Sequence, residues 1–161
     1  MALKLLILHR DDPFRRQLAE RMRVENYRVV EASPESGVTE IIQRSNFDVV
    51  LLGIAGPYRS ALALLRTIKE TRPFTEVILL TAVDEHSLYG SIQAMELGAF
   101  DDLLVPLDIN TLHRRIEEAY QKKKEQVKAK RSATRGARRS RSPGQAAPCG
   151  QSTCKPKEIR S

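Results

Sequence analysis

The stretch that most limits what this chain can become is Val49-Val50-Leu51-Leu52-Gly53-Ile54, an unbroken apolar run entered through Phe47-Asp48 and left through Ala55-Gly56-Pro57. A short apolar run bounded by turn residues predicts a strand buried on both faces, and such strands belong to parallel sheets covered by helices. The chain supplies partners for it. Leu3 to Leu8 and Tyr27 to Ala32 precede it; Glu76 to Leu80, ending at Thr81-Ala82, and Asp102 to Val105, ahead of Pro106, follow it. In sheets of this kind ligands sit beyond the carboxyl ends of the strands. Gly53, at the end of the central run, therefore faces whatever site exists.

Helical spacing fills the intervals. Phe14, Leu18 and Met22 recur every fourth residue, with Asp12 predicted as the N-cap and Pro13 as the first helical residue. Ser33-Pro34-Glu35 predicts a second start, with Val38, Ile41 and Ile42 as its stripe. Ala61, Leu64, Leu65 and Ile68 mark a third helix, which stops before Arg72-Pro73 because the residue ahead of a proline disfavours the helical region. Leu88, Ile92 and Met95 mark a fourth, closed by Gly98. Ile109, Leu112, Ile116 and Ala119 or Tyr120 mark a fifth. Five strands alternating with five helices specify a doubly wound α/β domain with right-handed crossovers. No internal repeat is evident.

Charge divides the chain unevenly. Residues 1–119 carry fourteen Lys/Arg against eighteen Asp/Glu, a net of −4, and residues 120–161 carry thirteen against two, a net of +11; together they make the formal +7. An acidic body (residues 1–121) with a basic, low-complexity tail (122–161) suggests a separate partner for the tail. The fifth helix is expected to outrun the body by a turn or two and then dissolve into Arg135 to Gly144, whose composition does not repay the entropy of ordering. The tail's candidate contacts to a polyanion are Lys122, Lys123, Lys124, Lys128, Lys130, Arg131, Arg135, Arg138, Arg139 and Arg141. No aromatic residue follows Tyr120, so the stacking platforms that hold single-stranded nucleic acid are missing and only phosphate contacts remain.

Cys149 and Cys154 lie in the tail without a histidine nearby, which is too few ligands for zinc. No apolar run approaches the roughly 18 residues of a membrane span and no leader pattern opens the sequence, so the expected location is the cytoplasm. The glycine-rich, nucleophile-elbow and zinc-helix motifs of common enzymes are absent, and catalysis is not expected.

The central run and its surroundings resemble response-regulator receiver (CheY-like) domains, whose third strand reads approximately Pro-Asp-Leu-Val-Leu-Leu-Asp-Ile-x-Met-Pro-Gly. Asp11-Asp12 after the first strand, Thr81-Ala82 after the fourth, Gly98-Ala99 and Pro106 extend the likeness over residues 3 to about 120. The resemblance implies a flavodoxin-like sheet of order 2-1-3-4-5 and a cis bond between Val105 and Pro106. It also implies a phosphorylation pocket: an acidic pair helping to hold magnesium, a strand-end aspartate that accepts the phosphoryl group, a threonine that contacts it and a lysine that offsets its charge. At those places the sequence has Gly53 for the acceptor, Val105 for the lysine, Asp102 for an aromatic that swings inward on activation, and Gly56 for a methionine.

The resemblance therefore implies a degenerate, or pseudo-, receiver. Asp12 then reads as a helix cap, Thr81 as the partner of a strand-end backbone group and His9 as an exposed strand-end histidine. Asp11 and Asp12, with a backbone carbonyl near Ala55, are expected to bind magnesium weakly at most. The leading expectation is a two-component signalling module that acts by protein-protein interaction without phosphorylation. The alternatives are a nucleic-acid-associated protein that binds non-specifically through its tail, and a phosphoreceiver with an atypical acceptor.

Overall fold

The computed structural model describes residues 3–54, 58–106 and 108–140, with side chains through residue 133. Five parallel strands, β1 (Lys4–Leu8), β2 (Arg28–Ala32), β3 (Val49–Ile54), β4 (Glu76–Ala82) and β5 (Asp101–Val105), pair in the order β2-β1-β3-β4-β5. Helices α1 (Asp12–Val24), α2 (Val38–Arg44), α3 (Tyr58–Thr71), α4 (Leu88–Glu96) and α5 (Ile109–Ser140) follow the strands in turn. The expected doubly wound architecture and strand order are those observed.

Alternation along the buried strands divides the core into two layers. Leu6, Leu8, Val50, Leu52, Val77 and Leu79 point toward Val38, Ile42, Ala61, Leu65, Ile68 and Ala94 of α2, α3 and α4. Their neighbours Leu5, Ile7, Val49, Leu51, Ile78 and Leu80 point toward Leu18, Met22, Leu112, Ile116 and Ala119 of α1 and α5. Each fully buried Leu or Ile contributes about 1.5–3 kcal/mol relative to exposure, so the three central strands anchor the fold and hold the carboxyl edge of the sheet rigid.

Local chemistry departs from expectation at several boundaries. Asp11, not Asp12, caps α1: its carboxylate accepts from the Phe14 amide at 3.1 Å, and Asp12 is already helical. The second helix starts at Val38 rather than at Pro34. Ser33 closes a turn by accepting from the Ser36 and Glu35 amides, and Gly37, with φ of 65°, holds a left-handed conformation that interrupts helical continuation. On α4 the predicted apolar stripe faces outward, with Leu88 71% exposed, while Gly90 and Ala94 supply the packed side.

The chain divides into a unit of residues 1–124 and a unit of residues 125–161. α5 does not end a turn or two past Tyr120 but continues to Ser140, through a run made up mostly of strong helix formers, with Val127, Ser132, Thr134 and Gly136 among them. Part of the stretch expected to dissolve, residues 135–140, is thus helical; residues 141–161, including Arg141 and both cysteines, lie outside the described residues. No helix among the described residues is long and apolar enough to cross a membrane.

Candidate functional site

Pairing between β1 and β3 ends with Leu8 beside Leu52, which brings His9 level with Gly53 at the carboxyl edge. The imidazole turns over the glycine. A Cβ placed on Gly53 would stand 2.9 Å from both Cγ and Nε2 of His9, and nearer still to Cδ2, so any side chain there must displace the ring. His9 is held on three sides. The Asp11 amide donates to its Nδ1 at 3.0 Å, Arg15 donates to its carbonyl at 2.7 Å, and Phe14 packs against the ring with centroids 4.6 Å apart. Burial lowers its pKa from the ordinary histidine value, against the pull of Asp11 and with a smaller push from Arg15. The ring is therefore neutral at pH 7, with its proton on Nε2. His9 is half-buried rather than exposed, and it fills the place where the receiver resemblance puts the acceptor carboxylate.

The acidic pair is committed elsewhere. Asp11 caps α1, and Asp12 forms an ion pair with Arg15 at 2.7 Å. No group of three or more His, Cys, Asp or Glu side chains suited to a metal occurs among the described residues. A hard divalent cation requires several convergent oxygen ligands. Of the groups expected to hold magnesium, both described carboxylates are thus engaged, one with the start of α1 and one with Arg15. Ala55, Gly56 and Pro57 lie outside the described residues.

Over the strand ends lies an open cleft of about 610 Å³, walled by Ile54, Leu80, Ala82, Val105, Phe14 and His9, with Asp11, Asp84 and Glu85 at its rim. Its one lining cation among the described residues, Arg10, pairs with Glu35 at 2.7 Å. Val105 is half-buried in the cleft wall, and the Val105–Pro106 bond is cis, as the resemblance implies. Among the described residues, the cleft presents apolar walls and carboxylates to any incoming phosphoryl group, and its one cation is already paired.

Thr81, at the end of β4, is fully buried and committed. Its hydroxyl donates to Asp102 Oδ1 at 2.7 Å, a side-chain partner in place of the backbone group expected from sequence. Tyr58, from the first turn of α3, donates to Asp102 Oδ2 at 3.0 Å and lies 3.4 Å from Thr81 Oγ1. Burial, with help from Asp102, raises the Tyr58 phenol above its ordinary pKa. The phenol ring lies against Gly90 so closely that a Cβ there would stand 2.6 Å from a ring carbon. One aromatic from α3 thus joins β4, β5 and α4. Tyr58 was not singled out by sequence pattern, although a signal existed: glycine inside a helix costs about 1 kcal/mol relative to alanine, and Gly90 needs a packing reason.

The family model described as "Response regulator receiver domain" matches residues 5–117. The chain belongs to this family. The response regulator protein PilR of Pseudomonas aeruginosa is 33% identical over 113 residues, covering 68% of this chain and 24% of PilR; the chain thus spans about a quarter of that curated relative's length. A receiver domain protein from Methanospirillum hungatei JF-1 superposes with a TM-score of 0.70 at 22% identity, covering 78% of this chain and 99% of that one. The beryllofluoride-activated NtrC4 receiver domain dimer gives 0.67 at 20% identity, covering 74% and 98%. Residues 5–117 therefore form a response-regulator receiver domain with a CheY-like fold.

The receiver's basic residues divide by environment. Lys122 sits over the Phe100 ring at 5.6 Å and Lys124 over Tyr120 at 4.8 Å. Lys123, expected among the surface contacts, is buried. Its ammonium donates to Asp48 Oδ1 at 2.8 Å and to the Phe47 carbonyl at 3.2 Å. Lys128, Lys130 and Arg131 are exposed on α5, and Arg135, Arg138 and Arg139 fall within the same helix.

Proposed function

We propose that this receiver is a degenerate one that signals without being phosphorylated, presenting a fixed α4–β5 surface to a protein partner of a two-component circuit. The observation that carries this reading is the His9 ring lying where a side chain on residue 53 would begin. With the acceptor place filled, Asp11 and Asp12 engaged with α1 and Arg15, and no lysine at residue 105, phosphoryl transfer is left without its acceptor and its charge offset.

Fixation of the output surface follows from Tyr58. By the resemblance, a receiver's threonine contacts the phosphoryl group and an aromatic at the place of Asp102 swings inward on activation; here Thr81 and Asp102 bond to each other and Tyr58 pins both beside α4. The α4 helix then offers Leu88, Ile92 and Met95, with Leu104 of β5, as an exposed apolar patch, the kind of surface that marks a protein-protein contact. The NtrC4 receiver domain is a dimer, so a second copy of this chain is among the partners the patch could take.

The test is capture of partners by wild type and by a Leu88→Glu/Ile92→Glu variant, each with and without acetyl phosphate. The expected result is capture that ignores acetyl phosphate and is lost in the variant. Capture that depends on acetyl phosphate would contradict the reading.

A further inference from the structure

In the unit beyond Lys124, α5 keeps its helical course with almost no apolar surface to bury: among residues 125–140 the one large apolar side chain is Val127, and the one acid is Glu125. Six basic residues occupy the same span, and their spacing is not random. Positions 128, 131, 135, 138 and 139 follow intervals of three, four, three and one, which at 3.6 residues per turn confines them to an arc of about 100°. The opposite arc holds Ala129, Ala133, Ala137 and Ser140, all small and uncharged. Lys130 falls outside the stripe.

Stacked like charges at three- and four-residue spacing weaken a helix by about 0.2–0.5 kcal/mol per pair. Lys128 with Arg131 and Arg131 with Arg135 are such pairs, and no acid within residues 126–140 relieves them. A polyanion laid along the stripe would relieve them all at once. From residue 128 to residue 139 the stripe is about 16 Å long, and duplex DNA carries a negative charge about every 1.7 Å of its axis.

We propose that the second half of α5 is a duplex-DNA contact, sequence-independent, made by the one-sided stripe of Lys128, Arg131, Arg135, Arg138 and Arg139. Other polyanionic surfaces suit it less. A helix lying in a lipid interface needs an apolar face to bury, and the small-residue arc does not provide one. Single strands are held largely by aromatic stacking, and no aromatic residue follows Tyr120. This contact is independent of the receiver reading, which stands if the contact fails.

The experiment titrates a fluorescent mixed-sequence duplex of two helical turns with the full chain at 50 and 200 mM salt. For about five phosphate contacts, affinity should fall several hundredfold between the two. A K128A/A129K/R131A/A133R variant has the same composition and net charge but moves two charges to the opposite arc; it should bind about tenfold more weakly at 50 mM, with a shallower salt dependence. Equal binding by the two proteins would overturn the proposal, because composition alone would then suffice. No binding by either at 50 mM would overturn it too. So would tighter binding of the wild type to vesicles of equal phosphatidylserine and phosphatidylcholine than to the duplex.

Discussion

The two ends of the sheet treat charge in opposite ways. At the carboxyl end, where the family resemblance puts an acceptor carboxylate and a lysine, the chain has Gly53 under a neutral imidazole and Val105 in an apolar wall. At the amino end, Lys123 is buried against Asp48, and Glu76 is buried with no hydrogen bond to its carboxylate. Charge at a strand's carboxyl end serves chemistry; a buried pair at the other end serves to fix one arrangement, since either partner alone is left uncompensated. The comparison teaches that a buried ion pair joins elements at the amino end, whereas the ion pairs at the carboxyl end, Arg10 with Glu35 and Arg15 with Asp12, lie at the surface around the cleft.

The amino end breaks hardest. Lys123→Met leaves the Asp48 carboxylate with the Lys4 amide but no counter-charge and should cost about 3 kcal/mol, read as a fall in the urea midpoint with unchanged slope. Asp48→Asn combined with Lys123→Met should regain most of that loss, and a double variant as unstable as the single would deny the pairing its role.

The carboxyl end breaks next, and by sign. Alanine for glycine inside a strand ordinarily stabilises by about 0.5–1 kcal/mol. Gly53→Ala should instead destabilise by about 2 kcal/mol, because the new methyl must expel His9. His9→Ala in the same chain should remove that penalty, giving a coupling of about 1–2 kcal/mol in a double-mutant cycle. Additive effects would mean that the ring does not occupy the acceptor's place.

Tyr58→Phe sharpens the comparison more gently. It removes the bond to Asp102 while Thr81 still donates to the same carboxylate, so about 1 kcal/mol is expected. Backbone amide shifts should spread from residue 58 to Thr81, Asp102 and Gly90, and shifts confined to α3 would argue against the link.

How much of this was legible in the sequence follows from the range of the interactions. Periodicity announced the strands and helices, because each apolar stripe is written locally. The glycine at the end of the central strand was legible as well, but the ring over it was not: His9 and Gly53 become neighbours only through the parallel register of β1 and β3. Tyr58 meets Asp102 across 44 residues and Lys123 meets Asp48 across 75, beyond any local pattern. Lys123 read as tail because it sits in a lysine run, whereas its burial depends on where α5 crosses the start of β3. The stripe on α5 was present in the spacing and became meaningful once the segment was helical.

The smallest effect concerns pH. Burial holds the Glu76 carboxyl above its ordinary pKa, with Lys69 and Lys122 pulling it down. A raised folded-state pKa favours folding below the ordinary carboxylate value, and that contribution is lost as pH rises through the raised value. Glu76→Gln should therefore stabilise the protein at pH 7, with the gain shrinking as pH falls toward the ordinary carboxylate value. A gain that grows toward acid pH would reverse the assignment.

This receiver is proposed to have no working phosphoacceptor. Intact mass measurement after incubation with acetyl phosphate and magnesium tests that proposal most directly, and the predicted result is an unchanged mass before and after hydroxylamine. A hydroxylamine-labile phosphoryl adduct on the wild-type chain would contradict it.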